Sequence, residues 1–275
     1  MNSINKNYIK KIVKQSLIED LSPCGDVTSK LVNLKKIKAK IVAKQSGVVA
    51  GLDFCSTAFK LVGKETIFLK KVKDGRKVVK GRILAIISAK TRTILSAERT
   101  ALNFLSHASG IATLTNNFVS LSHKKIKICC TRKTTPGLRL LEKYAVKKGG
   151  GFNHRYNLSD EIMIKDNHII AEKNLRKLVK KAIKTKKIIT VEVENMSQLK
   201  KILDLKFKRI LFDNMNLNNL KKCLKLCGSK FETEYSGNVN LKNIKKISNT
   251  RINRISVGSL THSSKAFDLS LEMFD

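Results

Sequence analysis

Arg132, Lys133, Arg139, His154, Arg155, Lys165 and His168, all able to carry positive charge, fall within residues 131–169 among glycines and short apolar runs. Arg132 and Lys133 follow directly on the β-type run Ile126 to Cys130, and His154–Arg155 follows Gly149–Gly150–Gly151. Cations launched from strand ends and Gly-rich loops can hold a small polyanion, because a guanidinium pairs with carboxylate or phosphate through two parallel hydrogen bonds. A solvated basic face is the plain alternative in a lysine-rich chain. Such a face has no need of Pro136–Gly137 or of three consecutive glycines beside its charges, so the segment is read as an anion-binding site.

Acids and phosphate-type turns stand further along. The strings VEVEN and LFDNM each place a carboxylate before an Asn at the end of an apolar run, giving Glu194 and Asp213. Two such carboxylates on neighbouring strands suit Mg2+, a hard cation that keeps several waters while bridging to phosphates. They could instead only neutralise nearby lysines, but acids number 21 in this chain and these two occupy corresponding positions. Glu192 shares a strand face with Glu194 by alternation, one layer deeper and within reach of a lysine partner. Ser236–Gly237 and Ser256–Val257–Gly258–Ser259 each follow a strand candidate and precede a helical pattern, with Thr261 and His262 beyond. Backbone N–H groups exposed at such turns bind phosphate. Asn238 tolerates the left-handed backbone a third glycine would otherwise supply.

These residues need a frame that brings them together. Apolar spacing predicts a helix over 5–21, strand–turn–strand over 37–51, a helix over 52–62, and short strands at 66–72 and 83–88. A long helix over 92–121 is expected, interrupted near Ser109–Gly110. This first part has α+β character with a small, mainly antiparallel sheet. After about residue 123 the rhythm changes. Strand candidates at 126–130, 161–164, 189–193, 208–212, 230–233 and 253–257 alternate mostly with helical patterns, at 167–184, 196–203, 217–226 and 241–247. Repeated β-then-α units mean a parallel sheet, open or closed as a barrel. The C-terminal strand ends carry Arg132 and Lys133, Lys165, Glu192 and Glu194, Asp213, Ser236 and Gly237, then Gly258. In α/β barrels those ends converge on one rim, where the active site lies.

The composition constrains the partners. A chain of 275 residues with 42% hydrophobic content builds a sizeable core. No run approaches the roughly 20 apolar residues of a bilayer span. The first residues, MNSINKNYIKKIVKQ, read as an amphipathic helix rather than a signal, and a cytoplasmic location is expected. A net charge of +35 invites a nucleic-acid reading. The lysines, however, are spread over the polar sides of helical patterns, and with no Trp and four Tyr there is little to stack bases on. No specific nucleic-acid partner is expected; the charge steers phosphorylated and carboxylated small molecules instead. The cysteines, at 24, 55, 129, 130, 223 and 227, form no CxxC pair and are expected to be reduced and mostly buried.

The same segments resemble the quinolinate phosphoribosyltransferase family, the decarboxylating enzymes of de novo NAD synthesis also called nicotinate-nucleotide pyrophosphorylases. The resemblance runs in order through EDLSPCGDVTS, SAERTALNFLSHASGIAT, the basic segment from Thr131, VEVEN, LFDNM, EYSGNV and SVGSLTHSSKAFDLSLEM. It implies an α/β protein, with an N-terminal α/β sandwich domain at 1–110 followed by an incomplete, open α/β barrel at 111–275. A C-terminal helix over 263–275 is expected to return to the first domain. It implies phosphoribosyl transfer from phosphoribosyl pyrophosphate to quinolinate with decarboxylation, with Mg2+. Lys133, Glu194 and Asp213 are the residues it places on the reacting atoms, the two acids also facing the metal–pyrophosphate. Thr131, Arg132, His154, Arg155, Lys165, Ser236, Gly237, Asn238, Val257, Gly258 and His262 complete the substrate contacts. Arg99 is implied to reach the neighbouring subunit's site in a homodimer or larger assembly. His168 has a second reading as a helix cap, and His107 and His123 read as structural or exposed. Relatives encoded beside molybdate transporters and nicotinate phosphoribosyltransferases are the alternatives on this scaffold. A substrate with one carboxylate would not need so large a cationic set.

Overall fold

The computed structural model describes residues 3–274, which divide into two compact units: 3–116 with 134–150 and 261–274, and 117–133 with 151–260. The first unit opens with α1 (Lys6–Leu21), capped by Asn5, whose side chain accepts the Asn7 N–H at 2.8 Å. Its Ile9, Val13 and Leu17 are buried at the i, i+4 spacing of one helical face. There follow β1 (Lys36–Ala43), β2 (Gly47–Val48), α2 (Leu52–Val62), β3 (Ile67–Lys70), β4 (Lys77–Val78) and β5 (Ile83–Lys90). Next come α3 (Thr91–Leu121) and, after an intervening strand of the second unit, α4 (Arg139–Lys148). Ile94, Ala97, Ala101, Leu105, Ala108, Ile111 and Ala112 of α3 are fully buried. Each such Leu or Ile contributes about 1.5–3 kcal/mol.

Helix α3 runs without a break through Ser109–Gly110, contrary to the expected interruption. Gly110 is there for space. A Cβ at this position would run into the backbone carbonyl of Lys265, and Ser109 Oγ donates to the Ala50 carbonyl at 3.2 Å. Gly110→Ala is therefore expected to cost about 1–3 kcal/mol despite alanine's better helix propensity, read as a lower urea midpoint. A midpoint equal to or above that of the parent would show that the C-terminal segment yields freely.

The expected C-terminal helix is absent. Leu269–Phe274 forms a strand, labelled β12 as the last in the chain, which pairs antiparallel with β1 and completes a sheet of order β12-β1-β5-β3. Leu269, Leu271 and Met273 alternate with polar neighbours, a period of two that a short apolar stretch can hide within a helical pattern. An open edge on β1 needs hydrogen-bonding partners, and cross-strand charge favours this register. Lys40 stands opposite Glu272, with Nζ 3.2 Å from its carboxylate, and Lys44 reaches the other oxygen at 2.9 Å.

The second unit is built on β6 (Lys127–Cys129), β7 (Ile162–Ile164), β8 (Ile189–Val193), β9 (Arg209–Asp213), β10 (Glu232–Ser236) and β11 (Arg254–Ser256). These make one parallel sheet of order β6-β11-β10-β9-β8-β7. Strands 7 to 11 follow chain order, and β11 returns to pair with β6, so the circle closes at that seam and stays open between β6 and β7. This is an incomplete α/β barrel, as expected. Its helices are α5 (Asp166–Glu172), α6 (Leu175–Ile183), α7 (Met196–Lys200), α8 (Leu217–Cys227), α9 (Ile244–Ser248) and α10 (Ser259–His262), the last crossing into the first unit. The pattern read as one helix over 167–184 is two, because Lys173 takes φ 59° and Asn174 caps the second by accepting the Lys177 N–H at 2.9 Å. Helix α4 has no counterpart in the sequence reading, where its residues were absorbed into the basic segment.

Candidate active site

Strand register puts the expected acids side by side. The last paired positions of β8 and β9 are Val193 and Phe212, so Glu194 and Asp213 sit level at adjacent strand ends. Alternation places Thr190, Glu192 and Glu194 on one face of the sheet, with Arg209, Leu211 and Asp213, then Glu232, Glu234 and Ser236, and Arg254 and Ser256. Hydrogen bonds along this face confirm it. Lys165 Nζ binds Glu192 at 2.8 Å, the lysine partner expected for that buried acid. Burial pushes the Glu192 carboxyl up, Lys165 pulls it down, and the nearby Asp213 charge pushes it up again.

The phosphate-type turn after β10 is clasped to the one after β9. Asn214 N–H donates to the Ser236 carbonyl at 2.9 Å, and Asn238 Nδ2 donates to Asn214 Oδ1 at 3.2 Å. Gly237 takes φ +102°, and a Cβ there would collide with the Asn214 side chain. Asn238 takes φ 49°, the left-handed backbone expected of it. After β11, the Val257 N–H donates to the Cys129 carbonyl at 2.8 Å, which ties the turn leading to Gly258 to β6. The Ser256 hydroxyl turns inward to Glu234.

The cations separate into groups. The Thr131 hydroxyl accepts the Lys133 N–H at 3.1 Å, shaping the turn that carries Arg132 and exposed Lys133. Arg155 lies near Arg132. Burial and then the Arg132 charge depress its guanidinium pKa, against the opposing pull of Glu161 and Asp160. Arg155 Nη1 donates to the Glu161 carbonyl at 3.0 Å. Lys165 is the N-cap of α5, and His168 accepts the Lys165 N–H on Nδ1 at 3.1 Å. In the first unit, Arg139 Nε donates to Thr134 Oγ1 at 2.9 Å, and exposed His262 has Nδ1 2.6 Å from Ser263 Oγ. Arg99, exposed on α3, lines a cleft of about 410 Å³ with Glu19, Asp20, Asn103 and His107. His107 pairs with the buried Glu142 at 3.0 Å, and His123 is exposed.

The sequence reading missed the charge network beneath the rim. Glu234, fully buried, lies 3.2 Å from Arg254 Nε, 3.6 Å from Arg209 Nε and 3.4 Å from His154 Nε2. Arg209 also binds Glu232 at 3.0 Å, Glu161 at 3.1 Å and the Thr190 hydroxyl at 2.9 Å. The available signal was parity. Glu234 and Arg209 stand two and four residues before the rim positions Ser236 and Asp213, on the same strand face.

Among the described residues no three His, Cys, Asp or Glu side chains cluster as a metal cage. A pair of level carboxylates fits a cation such as Mg2+ that brings its own water and phosphate ligands. Among the described residues no helix is long and apolar enough to cross a membrane.

Comparison with known proteins gives the family. The quinolinate phosphoribosyl transferase N-terminal domain model matches residues 26–109, and the C-terminal domain model matches 111–272. A probable nicotinate-nucleotide pyrophosphorylase (carboxylating) of Bacillus subtilis is 39% identical, over 98% of this chain and 95% of that protein. Quinolinate phosphoribosyltransferase (decarboxylating) 1 of Nicotiana glauca is 37% identical, over 96% of this chain and 82% of its own. The solved nicotinate-nucleotide pyrophosphorylase from Francisella tularensis superposes with a TM-score of 0.96 at 35% identity, covering 99% of this chain and 98% of that one.

Proposed function

Since the chain belongs to the quinolinate phosphoribosyl transferase family, we propose that its barrel rim joins quinolinate to the ribosyl group of phosphoribosyl pyrophosphate. The products are nicotinate mononucleotide, CO2 and pyrophosphate, in NAD biosynthesis. The observation that carries the substrate assignment is Arg132 lying near Arg155, where its charge adds to burial in lowering the Arg155 guanidinium and Glu161 and Asp160 offset part of the effect. Such a pair suits a ligand with two carboxylates.

Arg132, Arg155 and Lys165 orient quinolinate so that its ring nitrogen faces C1 of the ribosyl donor, and this positioning supplies much of the rate. Glu194 and Asp213 stabilise the positive charge that develops on the ribose as the pyrophosphate bond breaks. Lys133 offsets the charge gathering on the departing pyrophosphate. The turns at Ser236–Gly237–Asn238 and Val257–Gly258 offer backbone N–H groups to phosphate. Glu194 and Asp213 would hold Mg2+, which would supply electrostatic stabilisation of that leaving group. Once the pyridine nitrogen is quaternised, its positive charge stabilises the electron pair left on the adjacent ring carbon as the carboxylate departs as CO2, and that carbon then takes a proton from water. Exposed Arg99 serves the site of a second copy in a homodimer, and the protein acts in the cytoplasm.

A mass-spectrometric assay with phosphoribosyl pyrophosphate and either quinolinate or nicotinate tests the reading. Nicotinate mononucleotide is expected from quinolinate alone, and is expected to vanish when EDTA removes divalent cations. Product from nicotinate but not quinolinate would reassign the substrate, and product in EDTA would remove the metal.

A further inference from the structure

His154 is buried, and its two ring nitrogens meet different neighbours. The backbone N–H of Arg155 donates to Nδ1 at 2.9 Å. A nitrogen that accepts a hydrogen bond carries no proton, so the ring hydrogen lies on Nε2. Nε2 faces Glu234 Oε2 at 3.4 Å, with the imidazole 5% exposed and the carboxylate 0% exposed. A doubly protonated ring would point an N–H at the Arg155 N–H across that 2.9 Å contact. Glu234 is itself held by Arg254 and Ser256. Arg155 is fixed at its other end through Nη1 to the Glu161 carbonyl.

We propose that His154 is a neutral positioning residue, set by Glu234 and in turn setting the Arg155 peptide, rather than one of the cations that meet substrate carboxylates. The chain of contacts runs from the buried carboxylate to the ring, from the ring to the peptide, and from the peptide to the guanidinium. The proposal rests on reading Arg155 as a quinolinate contact. It assigns His154 no charge in that contact. A histidine enclosed this way keeps the guanidinium's direction.

Two measurements on the full chain test it. In nitrogen-15 spectra of protein labelled at the histidine rings, with the His154 signals identified by their loss in His154→Asn, Nε2 is expected protonated and Nδ1 bare. The pattern should hold with and without quinolinate. An imidazolium in either state overturns the proposal. In kinetics, His154→Ala removes the acceptor and is expected to raise KM for quinolinate about tenfold, with a smaller change in kcat. His154→Asn places Oδ1 near the lost Nδ1 and is expected to recover KM to within about threefold of the parent, whereas His154→Gln, whose amide lies near Nε2, does not. An Asn variant as impaired as the Ala variant overturns it. Parent protein that does not turn over quinolinate would sink the enzymatic reading, and the spectra would still decide the state of the ring.

Discussion

Glu194→Gln and Asp213→Asn are each expected to lower kcat for quinolinate by about 10²–10³-fold, the usual effect of removing one preorganised electrostatic group from a transition state. Both acids stand level at the ends of adjacent parallel strands, Glu194 exposed and Asp213 partly so. Both substitutions keep size and shape and change only charge. Because neither carboxylate sits in the core, urea unfolding should shift by less than about 0.5 kcal/mol. KM for quinolinate should change little, since the acids act on ribose and pyrophosphate rather than on the dicarboxylate. If the two act on the same developing charge, the double variant should be far less impaired than the product of the single effects. Steady-state rates at saturating substrates decide the matter: a kcat within threefold of the parent in both single variants would remove these acids from the chemistry.

The largest stability effect is expected below the rim. Glu234→Leu preserves approximate volume but leaves Arg254 and His154 facing an apolar group, and deprives Arg209 of one of three carboxylates. Breaking a buried charge set by removing one partner costs about 3–5 kcal/mol. The pH dependence has a definite sign. Burial raises the Glu234 carboxyl, but the His154 hydrogen bond, the Arg254 charge and the Ser256 hydroxyl outweigh it and hold the group below an ordinary 4.5. An acid depressed in the folded state contributes stability that is present above its unfolded value and lost as pH falls through its folded value. The parent should therefore lose stability as pH falls below about 4.5, and Glu234→Leu should show a shallower loss there. Urea unfolding at a series of pH values measures both effects. Equal stability of the two proteins at pH 7 would show that the network is dispensable.

Local physics decided a good part of this molecule. The helix Leu52–Val62 and the strand Ile189–Val193 are read correctly from apolar period alone, and repeated β-then-α units announce a parallel sheet because each strand must be covered on its faces. The chemical character of the rim is legible as well. Cations, paired acids and Ser-Gly turns stand at strand ends, and ordered motifs spanning the chain carry the family. Tertiary structure decided what depends on partners far along the chain. Leu269–Phe274 is a strand because β1 offers it an edge more than 200 residues away, and Gly110 marks the close approach of Lys265 rather than a break in α3. Glu234 acquires its meaning only when Arg254, Ser256, Arg209 and His154 close around it, and His154 only when the Arg155 peptide turns toward its ring. Sequence spacing reports the period of one element at a time. The protonation state of a buried group is set by neighbours that only folding assembles.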